Sequence, residues 1–313
     1  GGHSLLAVRL LAKIQEVLDQ PLELSTLLTA PTIQQQAELI RTAGFAAPKE
    51  WILPLQRGTA DTPPLFCIYG ILLYYDLACQ IGADQTVYGI YLQEEVDLLT
   101  GPEPQASALT SVQQVAALYL KKIRTIQSHG PYLLAGESFG GLVAYEMAQQ
   151  LQAAGETVAL LALFDTLAPG ATLRRSWQQQ SMIHLTELVK QGPAYVRQKL
   201  DKLNSKLNLK LKSSQAVSTV SADDRRTLFR RQIGRNYIAE PYDGTVVLFR
   251  AIDRDPFEST TVNPYFGWGA LAQEGVERYD VPGDHIGILK NPNVRVLAQA
   301  LKTCIDRSLD KIQ

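Results

Sequence analysis

Hydrophobic positions along the chain follow two periods. In residues 1 to 43 they recur every three or four places, at Leu5, Leu6, Val8, Leu11, Ile14, Val17 and Leu18, which predicts a helix stopping near Gln20-Pro21. Two shorter helices are expected next, around Leu24 to Leu28 and from Thr32 to Thr42, with Thr32 as a cap. Such a piece is small for an independent core. The AGFAAPK run that follows gives a linker over residues 44 to 50. From Trp51 onward the pattern changes. Short β-rich runs stand at Leu65 to Tyr69, Thr86 to Ile90, Tyr132 to Ala135, Val158 to Phe164, Thr245 to Phe249 and Val276 to Val281. Helical stretches separate most of them, notably Ser111 to Gln127 and Leu142 to Ala154. This alternation predicts an α/β fold, a mostly parallel sheet covered by helices on both faces. Between Ala168 and Pro241 it gives way to sequence rich in Leu, Lys, Arg and Gln, read as an inserted helical lid over about 171–240.

Composition narrows the function classes. A chain of 313 residues buries a large core, and its net charge of −1 offers nothing to nucleic acid or an anionic membrane. No apolar run reaches spanning length and the N-terminus has no signal-peptide pattern. The three cysteines, Cys67, Cys79 and Cys304, match no metal or disulfide spacing, and the expected location is cytoplasmic. The four histidines, His3, His129, His184 and His285, are too far apart for a sequence-local zinc motif, so no metal is expected. The near-neutral total hides an asymmetry: residues 171–240 hold 14 Lys and Arg against 5 Asp and Glu. Lys199, Lys202, Lys206 and Lys210 recur there at helical spacing and predict a basic face.

The chemistry concentrates in YLLAGESFGGLVAYEMAQQL, residues 132 to 151, where Gly136-Glu137-Ser138-Phe139-Gly140 has the form G-x-S-x-G. A bare match is common, and the competing reading is a glycine-rich turn with no chemistry. Here an apolar strand enters the motif and an amphipathic helix leaves it, the order a nucleophile elbow requires. A serine hydroxyl needs a base, itself oriented by a carboxylate. His285, in VPGDHIGIL, follows the strand ending at Val281 and meets that requirement. His129 precedes the Tyr132 strand and falls at the opposite edge of the sheet; His184 lies in the lid. Two acids fit the third role equally on geometry, Asp165 ending VALLALFD and Asp253 ending VVLFRAID. An oxyanion would be received by backbone N–H groups of Phe139 and, from the turn in CIYGILLYYD, Ile71.

Assembled, residues 51 to 313 resemble a type I thioesterase, the release domain at the end of nonribosomal peptide and polyketide assembly lines, with an α/β-hydrolase fold. The resemblance rests on PPLFCIYG, GPYLLAGESFGG, LALFDTLAP, FGWGALAQEGVERYDVPGDH and the C-terminal helix. It implies that Asp165 is the acid. It also implies a substrate in which an acyl or peptidyl chain is a thioester on the pantetheine arm of a carrier, and upstream assembly-line modules as partners. GGHSLLAVRLLAKI resembles the core of a peptidyl carrier domain, which implies 4′-phosphopantetheine on Ser4, unless the arm belongs to a carrier supplied in trans; the simpler reading of Ser4 is a helix cap. The chain starts at this motif, so residues 1 to 43 are expected to be a partial carrier domain. Relatives often carry a longer glycine-rich loop where this chain has Gly70 followed by ILLYYD. A stand-alone esterase or lipase of the same fold, and a carrier-docking module without turnover, remain as alternatives.

Overall fold

The structure is a computed structural model that describes residues 10, 14, 30, 32–42, 52–92, 109–173, 176–193, 197, 222–254 and 263–312. Its sheet contains β1 (Ile52–Gln56), β2 (Leu65–Ile68), β3 (Val87–Ile90), β4 (Tyr132–Glu137), β5 (Val158–Phe164), β6 (Val246–Ala251) and β7 (Val276–Val281). Their spatial order is β1-β3-β2-β4-β5-β6-β7, and every pair is parallel except β1 with β3. The helices are α1 (Ile33–Thr42), α2 (Tyr75–Ala78), α3 (Val112–Ile123), α4 (Phe139–Ala153), α5 (Trp177–Gln191), α6 (Ala222–Arg235) and α7 (Val294–Asp310).

Side chains of the central strands alternate between two cores, as a period of two demands. Phe66, Ile68, Leu134, Leu161 and Leu163 pack with α3 and α4, while Leu65, Cys67, Leu133, Ala135 and Ala162 pack with α2 and α7. Burial on both faces explains why these strands read as continuous apolar runs. It also leaves the strand ends as the place for polar chemistry.

The sequence reading has no strand at Ile52–Gln56. That segment, ILPLQ, is only half-buried and lacks a sharp apolar alternation. It pairs antiparallel at the sheet edge, where Pro54 is tolerated and the register shifts between Pro54 and Gln56. Thr32 caps α1 as expected: its hydroxyl accepts from Gln35 N–H and its own N–H donates to Gln35 Oε1. Leu10 and Ile14 have helical backbone, whereas the remainder of that first helix, the Leu24 to Leu28 helix, the linker, Ser4 and the four lid lysines lie outside the described residues.

Two helices, α5 and α6, are described within the stretch 171–240 expected to be a lid. Ser176 and Gln179 form a capping box that starts α5. The Phe229 ring of α6 meets the Phe139 ring of α4 edge-on, with centroids 6.5 Å apart, which sets α6 beside the start of α4. Behind α6 the chain is fixed to α4 by Tyr237, whose hydroxyl donates to Glu146 Oε2 at 2.8 Å. Among the described residues no helix is long and apolar enough to cross a membrane.

Candidate active site

The chain runs from β4 into α4 through a single residue, Ser138, at φ 53° and ψ −115°. A non-glycine residue with positive φ is uncommon and strained. The surroundings hold it there. Ser138 N–H donates to Phe164 O at 3.0 Å, and Ser138 O accepts from Gly141 N at 3.1 Å. A β-carbon on Gly136 would overlap the Gly140 carbonyl, and one on Gly140 would overlap the Ile68 carbonyl. The two motif glycines therefore allow β4, α4 and the end of β2 to approach this closely. Tyr74 ties the same ends together: its hydroxyl accepts from Glu137 N–H at 2.9 Å and donates to Ile68 O at 2.8 Å. Positive φ recurs at Tyr69 and Asp165, so β2, β4 and β5 each lead into a strained residue at the same edge of the sheet.

Asp165 follows β5 with its side chain fully buried. Oδ2 lies 2.6 Å from His285 Nδ1. Oδ1 accepts the Ala251 N–H at 2.8 Å and pairs with the Arg254 guanidinium, which also lies over the Phe266 ring at 5.0 Å. Each carboxylate oxygen is thus held by its own donors, and this fixes the plane in which the acid meets the imidazole. Asp253 is used elsewhere: Oδ2 accepts the Gly283 N–H at 3.0 Å, on the loop that carries His285.

His285 is the residue on which the two carboxylates converge. Beyond the 2.6 Å contact of Nδ1 with Asp165, Nε2 lies 2.9 Å from Oε1 of Glu137, whose side chain is 8% exposed. Burial works against a charged imidazole, but Asp165 and Glu137 outweigh it, and the His285 pKa is pushed up to about 10.

Ser138, Phe139, Asp165 and His285 line one cleft of about 930 Å³. Leu142, Leu167, Leu173 and Ile286 give it an apolar wall, and Arg230, Arg231 and Arg235 of α6 give it a basic one. The cleft joins a nucleophile, an imidazole–carboxylate pair and a surface for a chain bearing both apolar and anionic groups. The Phe139 N–H belongs to the first turn of α4, where backbone donors point out of the helix. Ile71 is fully buried, precedes a short 3-10 turn and is not among the lining residues. His184 is on α5 and His129 pairs with Glu156 at 3.0 Å; neither lines the cleft.

Sequence reasoning passed over Glu137, Arg254 and the α6 arginines. Glu137 was visible as the x of G-x-S-x-G, two places from Phe139. Arg254 had only its position beside Asp253 to mark it, and the arginines required knowing which face α6 turns inward.

A family model described as a thioesterase domain matches residues 88–304, and one described as a phosphopantetheine attachment site matches residues 1–40. Malpibaldin synthetase of Mortierella alpina is 29% identical over 323 aligned positions, which cover 98% of this chain and 5% of that protein. The dimodular nonribosomal peptide synthase of Bacillus subtilis is 39% identical over 169 positions, 53% of this chain and 7% of that protein. The chain therefore spans a small fraction of the length of these relatives. A solved four-domain nonribosomal peptide synthetase, holo and bound to AMP and glycine, is similar with a TM-score of 0.60 at 24% identity, covering 96% of this chain and 24% of that one. The NocB thioesterase domain from the nocardicin cluster gives 0.52 at 22% identity, over 83% of this chain and 99% of that one. Sheet order and solved neighbours agree on an α/β-hydrolase fold. With the thioesterase-domain match extending over residues 88–304, well over half its length, this chain belongs to the thioesterase family.

Proposed function

We propose that this thioesterase domain releases an acyl or peptidyl chain from the pantetheine arm of a carrier through an acyl-Ser138 intermediate. Ser138 Oγ attacks the thioester carbonyl while His285 Nε2 takes its proton. Asp165 at 2.6 Å from Nδ1 fixes the tautomer and favours the cation that forms. The Phe139 N–H receives the developing oxyanion, with a second donor supplied by the turn after β2, for which Ile71 remains the candidate. The carbon–sulfur bond breaks and the thiol leaves with the proton from Nε2. Water, or a hydroxyl or amine of the acyl chain, then attacks the ester, giving hydrolysis or cyclisation.

The observation that carries this reading is the His285–Asp165 pair in the same cleft as a serine held at positive φ between strand and helix. The match of residues 1–40 to a phosphopantetheine attachment site supports Ser4 as the arm's attachment point and a carrier in cis, with upstream modules as the source of the chain. The scattered cysteines, which match no disulfide spacing, favour a cytoplasmic enzyme. A stand-alone esterase and a docking module without turnover predict different kinetics. One acyl group is offered as a pantetheine thioester, as a simple alcohol ester and on a carrier domain. The proposal expects the thioesters to be cleaved well ahead of the ester. Preference for the oxygen ester would make the protein an esterase, and no turnover with carrier binding would make it a docking module.

A further inference from the structure

The Glu137 carboxylate has no task in the reaction as described, although it lies in the cleft directly before the nucleophile. The residue is 7% exposed. Its Oε1 is buried and accepts no hydrogen bond from any described residue, even though His285 Nε2 is 2.9 Å away. At that distance the missing hydrogen bond means that Oε1 stands beside the Nε2 bonding axis, not on it. The axis stays open for Ser138 Oγ or for an incoming nucleophile. Glu137 Oε1 is therefore ion-paired with His285 but not hydrogen-bonded to it, and a buried carboxylate oxygen in that state can still accept a hydrogen from a further donor.

The second half-reaction supplies one. Whatever attacks the acyl-serine must donate a hydrogen to Nε2 along that axis. Its attacking atom then sits within reach of Oε1. Water and a primary amine carry a second hydrogen on that atom, which Oε1 accepts; an alcohol has none left to give. We propose that Glu137 selects the nucleophile that resolves the acyl-Ser138 intermediate, favouring water and primary amines over hydroxyl groups. The atoms balance. The nucleophile's oxygen or nitrogen bonds the acyl carbon, one hydrogen passes to Nε2, and the bond to Ser138 Oγ breaks as Oγ recovers that proton. The second hydrogen stays on the product acid or amide, released from Oε1 as product leaves. By this account the domain makes free acids or lactams in preference to lactones. The inference rests on the acyl-serine reading above.

The test uses the full chain and a hexanoyl N-acetylcysteamine thioester in water containing equal concentrations of propylamine and propanol. Acyl-Ser138 formation is followed by intact mass, and acid, amide and ester products by chromatography. Wild type is expected to give ester as the minor product. Glu137→Leu, which removes the acceptor, is expected to raise the ester share relative to acid and amide by about tenfold, the worth of one hydrogen bond to a charged group. Glu137→Gln keeps the shape and a weaker acceptor, gives a smaller shift in the same direction, and carries the test should Glu137→Leu fail to fold. Unchanged product ratios in variants that still acylate Ser138 overturn the proposal. Failure of wild type to acylate Ser138 overturns instead the reading on which it rests.

Discussion

Asp253 and Gly283 bind each other twice: Asp253 N–H donates to Gly283 O at 3.0 Å, and Gly283 N–H donates to Asp253 Oδ2 at 3.0 Å. The loop after β6 is thereby tied to the loop that presents His285. Asp165 and Asp253 looked interchangeable as strand-end acids, yet only Asp165 reaches the imidazole.

Their variants should separate accordingly. Asp165→Asn is expected to lower kcat by about 10⁴-fold, because the amide no longer stabilises the imidazolium or fixes its tautomer. Asp253→Ala loses a loop tether and is expected to cost under about tenfold in kcat, with a loss of about 1 kcal/mol in urea denaturation. A larger kcat loss for Asp253→Ala would reassign the acid.

The pH profile follows from His285, whose ordinary value of 6.5 is pushed up to about 10. Only neutral imidazole takes the serine proton, so phosphonylation of Ser138 by a fluorophosphonate should accelerate with pH towards a limb near 10. Glu137→Gln removes one of the two facing carboxylates and should move that limb to lower pH. Stability has the opposite sign. A folded pKa above the unfolded one stabilises the fold fully below about 6.5, and this contribution is lost as pH rises through about 10. Wild type should therefore lose Tm relative to His285→Gln between pH 6 and pH 10. A limb that does not move in Glu137→Gln would show that this carboxylate has no influence on the base.

Arg254 grips Asp165 on the oxygen that His285 does not use. Arg254→Met keeps apolar contact with Phe266 while removing the cation. It is expected to lower kcat by about tenfold, the loss of one charge-assisted hydrogen bond, with KM within about twofold. It should also move the alkaline limb higher, since less positive charge then opposes the imidazolium. A rise in KM with constant kcat would assign Arg254 to substrate binding.

Gly140→Ala tests the elbow's packing. The new methyl group meets the Ile68 carbonyl, which as sheet backbone has little room to shift. Destabilisation of about 1–3 kcal/mol in urea denaturation is expected, with Ser138 reactivity reduced. Wild-type stability would mean that the strand and helix are less closely apposed than described.

How much of this was legible depended on the signal each residue carried. Val158–Phe164 is found at the limits its apolar run sets, since burial shaped that run, and Val276–Val281, VERYDV at the sheet edge, is found where its β-rich residues place it despite three charged positions. Ser138 and His285 stood out because strand, turn and helix order announces where a strand end delivers its next residue. β1 was invisible, being a half-buried edge strand interrupted by Pro54. Glu137 could be seen but not interpreted: its meaning lies in a 2.9 Å approach to a ring 148 positions away in sequence, from Glu137 to His285, which no local pattern encodes. Ile71 was inferred from its place after β2; the structure shows that it is fully buried, which no glycine or polar signal in that turn announced, and its backbone donor role stays a proposal.

The most direct measurement is the mass of the protein during turnover. The chain is mixed with an acyl-pantetheine thioester, quenched in acid within seconds and digested for peptide mapping. The account predicts a mass gain equal to the acyl group on the peptide containing Ser138, absent in Ser138→Ala, which should also lose about 10⁴-fold or more in turnover. An acyl group on a different residue, or Ser138→Ala turning over within tenfold of wild type, would contradict it.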